Sequence, residues 1–361
     1  MPDQPAGAPA DAPAGPADAG SDSQRAGHVR GGDTGQGTSG AGGRSRAGSA
    51  LSAVLRVAAS RTMRWAFVAA AVGFGCYAIA RDWSHVQAGL SRLGPLPFAA
   101  GFVCVLAALL AQMQVYRELL SALGSPLPRR VAAQILFIGQ LGKYLPGSVW
   151  PVMAQMELGA AHRVPRARSA SASVLAMLLS LVTGILVGLV MLPFGGRTSS
   201  YWWVFLFAPV ILACLHPKVL NRMLDGLLRL AKRPPLERPL SGRAIAVALT
   251  WCLVAWVFFG LQIWVLAEWL GLSGGSGVLL AIGGFAFAWS AGFLVVFAPA
   301  GAGVRELVLV ALLSPFIGSG NAWAVALVSR VLMTLGDLVS AGTAGWAARR
   351  WRHGSAAAPP N

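Results

Sequence analysis

Charge is scarce in this 361-residue chain. Asp, Glu, Lys and Arg make up 12% of it, about half of what a soluble domain carries. Acidic residues are the scarcer sign, 13 against 29 basic ones, and the formal net charge is +16. With 55% hydrophobic residues and a mean hydropathy of +0.61, the composition does not fit a soluble globular protein. A nucleic-acid partner is not expected either, because a basic binder of that kind displays its charge on a polar surface. The four cysteines, Cys76, Cys104, Cys214 and Cys252, lie singly within apolar runs and fit neither a disulfide framework nor a zinc site. His28, His85, His162, His216 and His353 are scattered without a second ligand at helical spacing, so no metal and no cofactor are expected. An Asp-x-Asp pair is missing, as is a Gly-rich loop ending in Lys-Ser/Thr. No catalytic residue is nominated, and these absences weigh against an enzyme without closing the question.

What the chain does have is hydrophobic length. Residues 1–55 stand apart as a tail rich in Gly, Ala and Pro, too poor in aliphatic residues to offset its chain entropy, and are expected to be disordered. The tail contains no apolar core of a signal peptide. Its first 50 residues carry four Arg against five Asp, so the whole basic excess belongs to the apolar part. Beyond it, stretches free of charge follow one another at 65–80, 93–116, 169–196, 198–217, 244–267, 269–304 and 307–329. A helix needs about 20 apolar residues to cross a bilayer. Six crossings are placed at about 63–80, 96–115, 170–193, 200–216, 245–268 and 322–346.

The arginines and lysines orient these crossings. Nineteen of the 25 basic residues beyond the tail fall on one side, which the positive-inside rule makes cytoplasmic. They are grouped around Arg56–Arg64, Arg117–Arg130, Arg163–Arg168, Lys218–Arg243 and Arg349–Arg352. Both termini, including the short tail 349–361, are thereby expected in the cytoplasm, with the protein in a plasma (inner) membrane. The stretch 131–155 then has basic loops at both ends and must enter and return. Its middle, Gly142-Lys143-Tyr144-Leu145-Pro146-Gly147, breaks a helix. A second interruption, Ala298 to Glu306, divides the stretch 285–318, which reads as a hairpin or as two crossings, the hairpin being favoured. The chain is thus expected to be an all-α polytopic membrane protein spanning 56–348. It has about six full transmembrane helices plus two Pro/Gly-broken re-entrant hairpins, or eight crossings. One interrupted segment per half is the pattern of inverted-repeat transporters, and ordinary kinked helices are the alternative.

Lys143, Arg305, Glu306, Arg330 and Asp337 lie within or beside apolar sequence, where charge is costly and faces a partner or a cavity. Arg330 and Asp337, seven apart, share one helix face. In the functional reading Lys143, Arg305 and Arg330 line a cationic pocket for an anionic head group. Helix N-termini after Pro146-Gly147 and after Gly303 would add N–H donors for phosphate. In the alternative, Glu306 or Asp337 neutralises Arg330. Gln134, Gln140 and Gln155 belong either to a cavity or to interhelical bonding. Trp202, Trp203, Trp251 and Trp256 are expected to anchor or pack, and 220–231 forms a short amphipathic stripe for the membrane surface.

Gly142 to Gly147, followed by Pro299-Ala300-Gly301-Ala302-Gly303-Val304-Arg305-Glu306 and then Ser329-Arg330 with Gly336-Asp337, resembles the transmembrane region of lysylphosphatidylglycerol synthases, a family also described as flippase-like. The resemblance covers about 55–348. It implies a membrane unit that moves an aminoacylated phospholipid made by a soluble aminoacyltransferase domain. Only a dozen polar residues follow Arg349 here, so lysylphosphatidylglycerol synthesis is not expected and the lipid stays open. The family's Phe-Pro-Gly-Gly-like turn reads Phe297-Ala298-Pro299-Ala300-Gly301, a departure that keeps a turn but does not carry the family's lipid specificity over to this chain. The leading expectation is a translocase for a phospholipid or lipid-linked precursor, with substrate residues Lys143, Tyr144, Pro146, Gly147, Gly303, Arg305, Glu306, Arg330 and Asp337. Its partners would be membrane lipids and, in a cell, envelope-synthesis enzymes. The rivals are a transferase using a polyprenyl-phosphate donor, with Glu306 or Glu157 as its carboxylate, and a non-transporting subunit of an envelope-synthesis complex. The oligomeric state is not legible.

Overall fold

The computed structural model describes residues 83–144, 149–195, 240–295 and 301–356, with isolated positions 219, 222 and 226. The expected tail 1–55, the crossings 63–80 and 200–216, the stripe 220–231, Trp202 and Trp203, and Pro146 and Gly147 lie outside these residues, apart from Arg222 and Gly226 within the stripe. Among the described residues every regular element is a helix. In chain order they are α1 (Trp83–Arg92), α2 (Pro95–Ala122), α3 (Arg129–Gln140), a 3-10 turn (Leu141–Tyr144), α4 (Trp150–Ala161), α5 (Arg166–Gly195), α6 (Gly242–Glu268), α7 (Gly274–Leu294), α8 (Val304–Ile317) and α9 (Ser319–Ala356).

Five of them, α2, α5, α6, α7 and the first 30 residues of α9, are long and apolar enough to cross a membrane. The protein is a multi-pass membrane protein. Leu96, Val103, Leu110, Leu253 and Leu338 are exposed on these helices. Such a surface is unfavourable in water and satisfied by lipid. The helix ends fall where the sequence punctuates them. Pro95 and Pro97 open α2. Ser241 caps α6 by accepting the Ala244 N–H at 3.2 Å. Gly124 (φ +83°) closes α2, and Arg168 donates to its carbonyl at 3.0 Å.

The expected interruption at 131–155 is present as α3, the 3-10 turn and α4. The two arms meet so closely at Gly139 that a Cβ there would stand 2.5 Å from Gln155 Cγ. The second interrupted stretch differs from expectation at its start. Its first arm begins at Gly274 instead of Phe285 and has 21 residues, about 31 Å of helix. Gly283 and Gly284 sit inside that helix, and Gly283 lets it approach Met191, whose Cβ would lie 2.9 Å from an added Cβ. The second arm, α8, has 14 residues and covers about 21 Å. It returns along α7: Gly292 lies beside Arg305, and Gly284 beside Leu312. The two arms thus form an antiparallel helix pair in which α7 is long enough to cross a membrane and α8 is shorter than a bilayer core of about 30 Å. At the C-terminus, α9 runs on past Arg349 to Ala356, into the stretch expected as tail.

The order long helix, broken hairpin, long helix thus occurs twice, as α2–(α3, α4)–α5 and as α6–(α7, α8)–α9. The two hairpins enter from opposite ends of the bundle. Ile138 of α3 lies near Gly345, toward the C-terminal end of α9. The second hairpin closes through Gly318 at the N-terminal end of α9, where Gly318 N–H donates to Ser314 O at 2.9 Å. Between them, α2 packs on α6 and α5 on α7. A buried aromatic group, Trp256, Phe259, Phe285 and Trp289, fills the space beside the second hairpin.

Candidate functional site

Both hairpin tips arrive at the middle of α9. Arg330 stands eleven residues after Ser319, and Asp337 eleven before Ala348, so the two flank the midpoint of the crossing portion. From the first tip, Lys143 Nζ reaches Asp337 Oδ2 at 2.6 Å, and the Tyr144 hydroxyl donates to the same oxygen at 2.5 Å. From the second tip, Glu306 Oε1 accepts from Arg330 at 3.2 Å and from Arg305 at 3.3 Å. Arg305 also contacts Met333 Sδ at 3.2 Å and lies 5.7 Å from the centre of the Phe285 ring.

Every one of the three expected cations therefore stands by a carboxylate. The alternative of internal pairing is realised in a particular way: Glu306 meets Arg330, whereas Asp337 pairs with Lys143. Sharing a helix face does not bring Arg330 and Asp337 together, because two turns separate them by about 10 Å. The four ionised groups differ in exposure. Lys143 and Arg330 are 23% and 26% exposed at their side chains, while Asp337 and Glu306 are 4% and 11% exposed. Arg305, at 7%, is as buried as the carboxylates, so Lys143 and Arg330 are the more exposed of the five charged groups.

One expectation is corrected at the start of α8. The backbone there was read as a donor site for phosphate. Gly303 adopts a left-handed φ of +87°, and its N–H donates to Glu306 Oε2 at 2.7 Å. The helix N-terminus is capped by a carboxylate of the chain itself.

The tips border a cavity of about 780 Å³. Lys143, Tyr144, Arg305, Arg330 and Asp337 line it on one side. Leu109, Val115, Leu136, Phe259 and Phe293 form much of its apolar wall. Gln140 and Gln155, left open between cavity and packing, both line it, and Gln155 also holds the fold together. Its carbonyl accepts from Ser169 at 2.9 Å, its side chain accepts from Ser173, and Ser169 meets the Tyr116 hydroxyl at 2.9 Å. Trp256 packs as expected, with its indole N–H on Thr183 Oγ1 at 3.0 Å. Glu157 faces Arg166 at an exposed surface position, outside the cavity lining, so it does not serve as a pocket carboxylate.

Such a constellation, apolar over most of its wall and positively charged at one pole, suits an amphiphile. The order of the elements and of the charged motifs also decides the kinship of the chain. The profile of the lysylphosphatidylglycerol synthase TM region matches residues 55–340. The chain belongs to that family. No curated protein matches it. Family membership makes it a membrane protein of lipid metabolism or translocation. In this member of the lysylphosphatidylglycerol synthase TM family, the sequence motifs mark the two hairpin tips and α9. Sequence reasoning missed Gln112, Met333 and Thr334, which also line the cavity. Thr334 and Met333 could have been found by helical spacing, since they lie between Arg330 and Asp337. Gln112 carries no signal beyond being a polar residue inside an apolar helix.

Proposed function

We propose that this protein is a lipid translocase of the plasma membrane that moves a phospholipid or lipid-linked precursor with an anionic head group. Its termini face the cytoplasm, and the end of the bundle carrying Arg129, Arg130, Arg163, Arg166 and Arg168 is the cytoplasmic end. The observation that carries the reading is the meeting of the two hairpin tips on α9 beside one cavity, with Lys143, Arg305 and Arg330 converging there. Broken backbone at mid-bilayer depth is tolerated where it is buried in protein or lines a watery cavity, and Lys143 and Tyr144 before the first break and Gly301 and Arg305 after the second line this cavity. The head group occupies the charged pole and the acyl chains lie along the apolar wall. A site fixed between two oppositely oriented hairpins is exposed to each side in turn as the hairpins rock about α9.

The direct test is reconstitution of the purified full-length chain in liposomes with fluorescent-tailed lipids, following access of a membrane-impermeant quencher. Wild-type protein is expected to accelerate lipid exchange between leaflets, and Lys143→Ala and Arg330→Ala to slow it about tenfold or more, the loss of one charge-assisted contact. Equal rates for the variants and the wild type would refute the pocket.

A further inference from the structure

We infer that the charged pole selects a head group with one net negative charge, a single phosphodiester, over both zwitterionic and diphosphate lipids. The inference deepens the translocase reading and rests on it for taking the cavity as a lipid site.

The charge at the pole can be counted. Lys143, Arg305 and Arg330 oppose Glu306 and Asp337, which leaves one positive charge. Among the described residues the charged side chains lining the cavity are Lys143, Arg305, Arg330 and Asp337, with Glu306 bonded to the two arginines. In the sequence, 145–148 and 296–300 contain no charged residue. One phosphodiester therefore brings the pole to neutrality. A diphosphate overshoots by at least one negative charge, and an uncompensated charge at this depth is costly.

The position of the charges excludes the zwitterion as the preferred ligand. An ammonium group needs an open carboxylate. Asp337 is 4% exposed and holds both Lys143 and Tyr144, while Glu306 holds Arg305, Arg330 and the Gly303 N–H. Of the charged side chains that line the cavity three are cations, Lys143, Arg305 and Arg330, and the single carboxylate, Asp337, is already held by Lys143 and Tyr144. Gln140 also lines the cavity, its amide N–H donating to Gln112 Oε1 at 3.5 Å.

The test is equilibrium binding to the detergent-solubilised full-length protein. Three probes are used: tail-labelled phosphatidylglycerol, tail-labelled phosphatidylcholine, and undecaprenyl diphosphate as a competitor. Phosphatidylglycerol is expected to bind at least about tenfold more tightly than either of the others. In Glu306→Gln the pole gains one positive charge, and the preference should move toward the diphosphate by about tenfold. Asp337→Asn should move it the same way, which guards against a folding defect in one variant. Phosphatidylcholine or the diphosphate binding the wild type as tightly as phosphatidylglycerol overturns the inference. So does an unchanged preference in both folded variants. If the binding order holds while reconstituted protein moves none of the lipids, the charge selection stands and the translocase reading falls.

Discussion

Lys143 and Asp337 come from opposite halves of the chain and form an ion pair of 2.6 Å at the middle of α9. That contact ties the tip of the first hairpin to the last crossing helix. The counterpart on the second hairpin is Glu306 with Arg330 at 3.2 Å, two turns earlier on α9. α9 is thus the strut on which both broken elements are registered.

Breaking the first tie leaves Asp337 nearly fully buried with only the Tyr144 hydroxyl for company. Lys143→Met should therefore lower stability by about 3 kcal/mol, the usual cost of stranding one partner of a buried pair. Replacing both residues, Lys143→Met with Asp337→Leu, removes the stranded charge and should recover more than half of that loss. Thermal unfolding of the four proteins in detergent, read as a double-mutant cycle, checks this. A double variant no more stable than the single would mean that the pair does not carry the contact.

Much of this arrangement was legible in the sequence, for definable reasons. Charge-free runs marked α2, α5 and α6 because a bilayer demands about 20 apolar residues whatever the packing, and α9 was legible as an apolar stretch despite Arg330 and Asp337 within it. The first hairpin followed from two local facts together, the break at Gly142–Gly147 and basic residues at both ends. The start of α7 was not legible. Only the approach of Met191 to Gly283 shows why glycine is used within a helix there. Partner choice among the charges was not legible either. Helical periodicity placed Arg330 and Asp337 on one face, but which carboxylate each cation meets depends on where two distant hairpins end. The capping of α8 by Glu306 was hidden for a related reason: the same N-terminus accepts a ligand's anion or the chain's own.

The buried bond between Trp256 and Thr183 joins α6 to α5 beside the second hairpin. Thr183→Val keeps the volume and removes the acceptor. It should cost about 1–2 kcal/mol, since a buried indole N–H is then left unpaired. Unfolding followed by tryptophan fluorescence, alongside circular dichroism to confirm helix content, measures the change.

Close helix contact through glycine makes the sharpest contrast. A Cβ on Gly260 would stand 2.3 Å from the Ile282 Cα, a backbone atom on α7 that no rotamer change can move. Gly260→Ala must therefore push α6 and α7 apart and should destabilise by about 1–3 kcal/mol, the range for overpacking a filled interior. Gly342 on α9 is the control, because a Cβ there meets nothing within 4 Å. Gly342→Ala should leave stability unchanged or raise it by up to about 1 kcal/mol, the propensity gain of alanine in a helix. Parallel thermal melts in one detergent compare the two. Equal tolerance of both substitutions would show that α6 and α7 do not meet at Gly260, and the second hairpin would lose the wall against which it is packed.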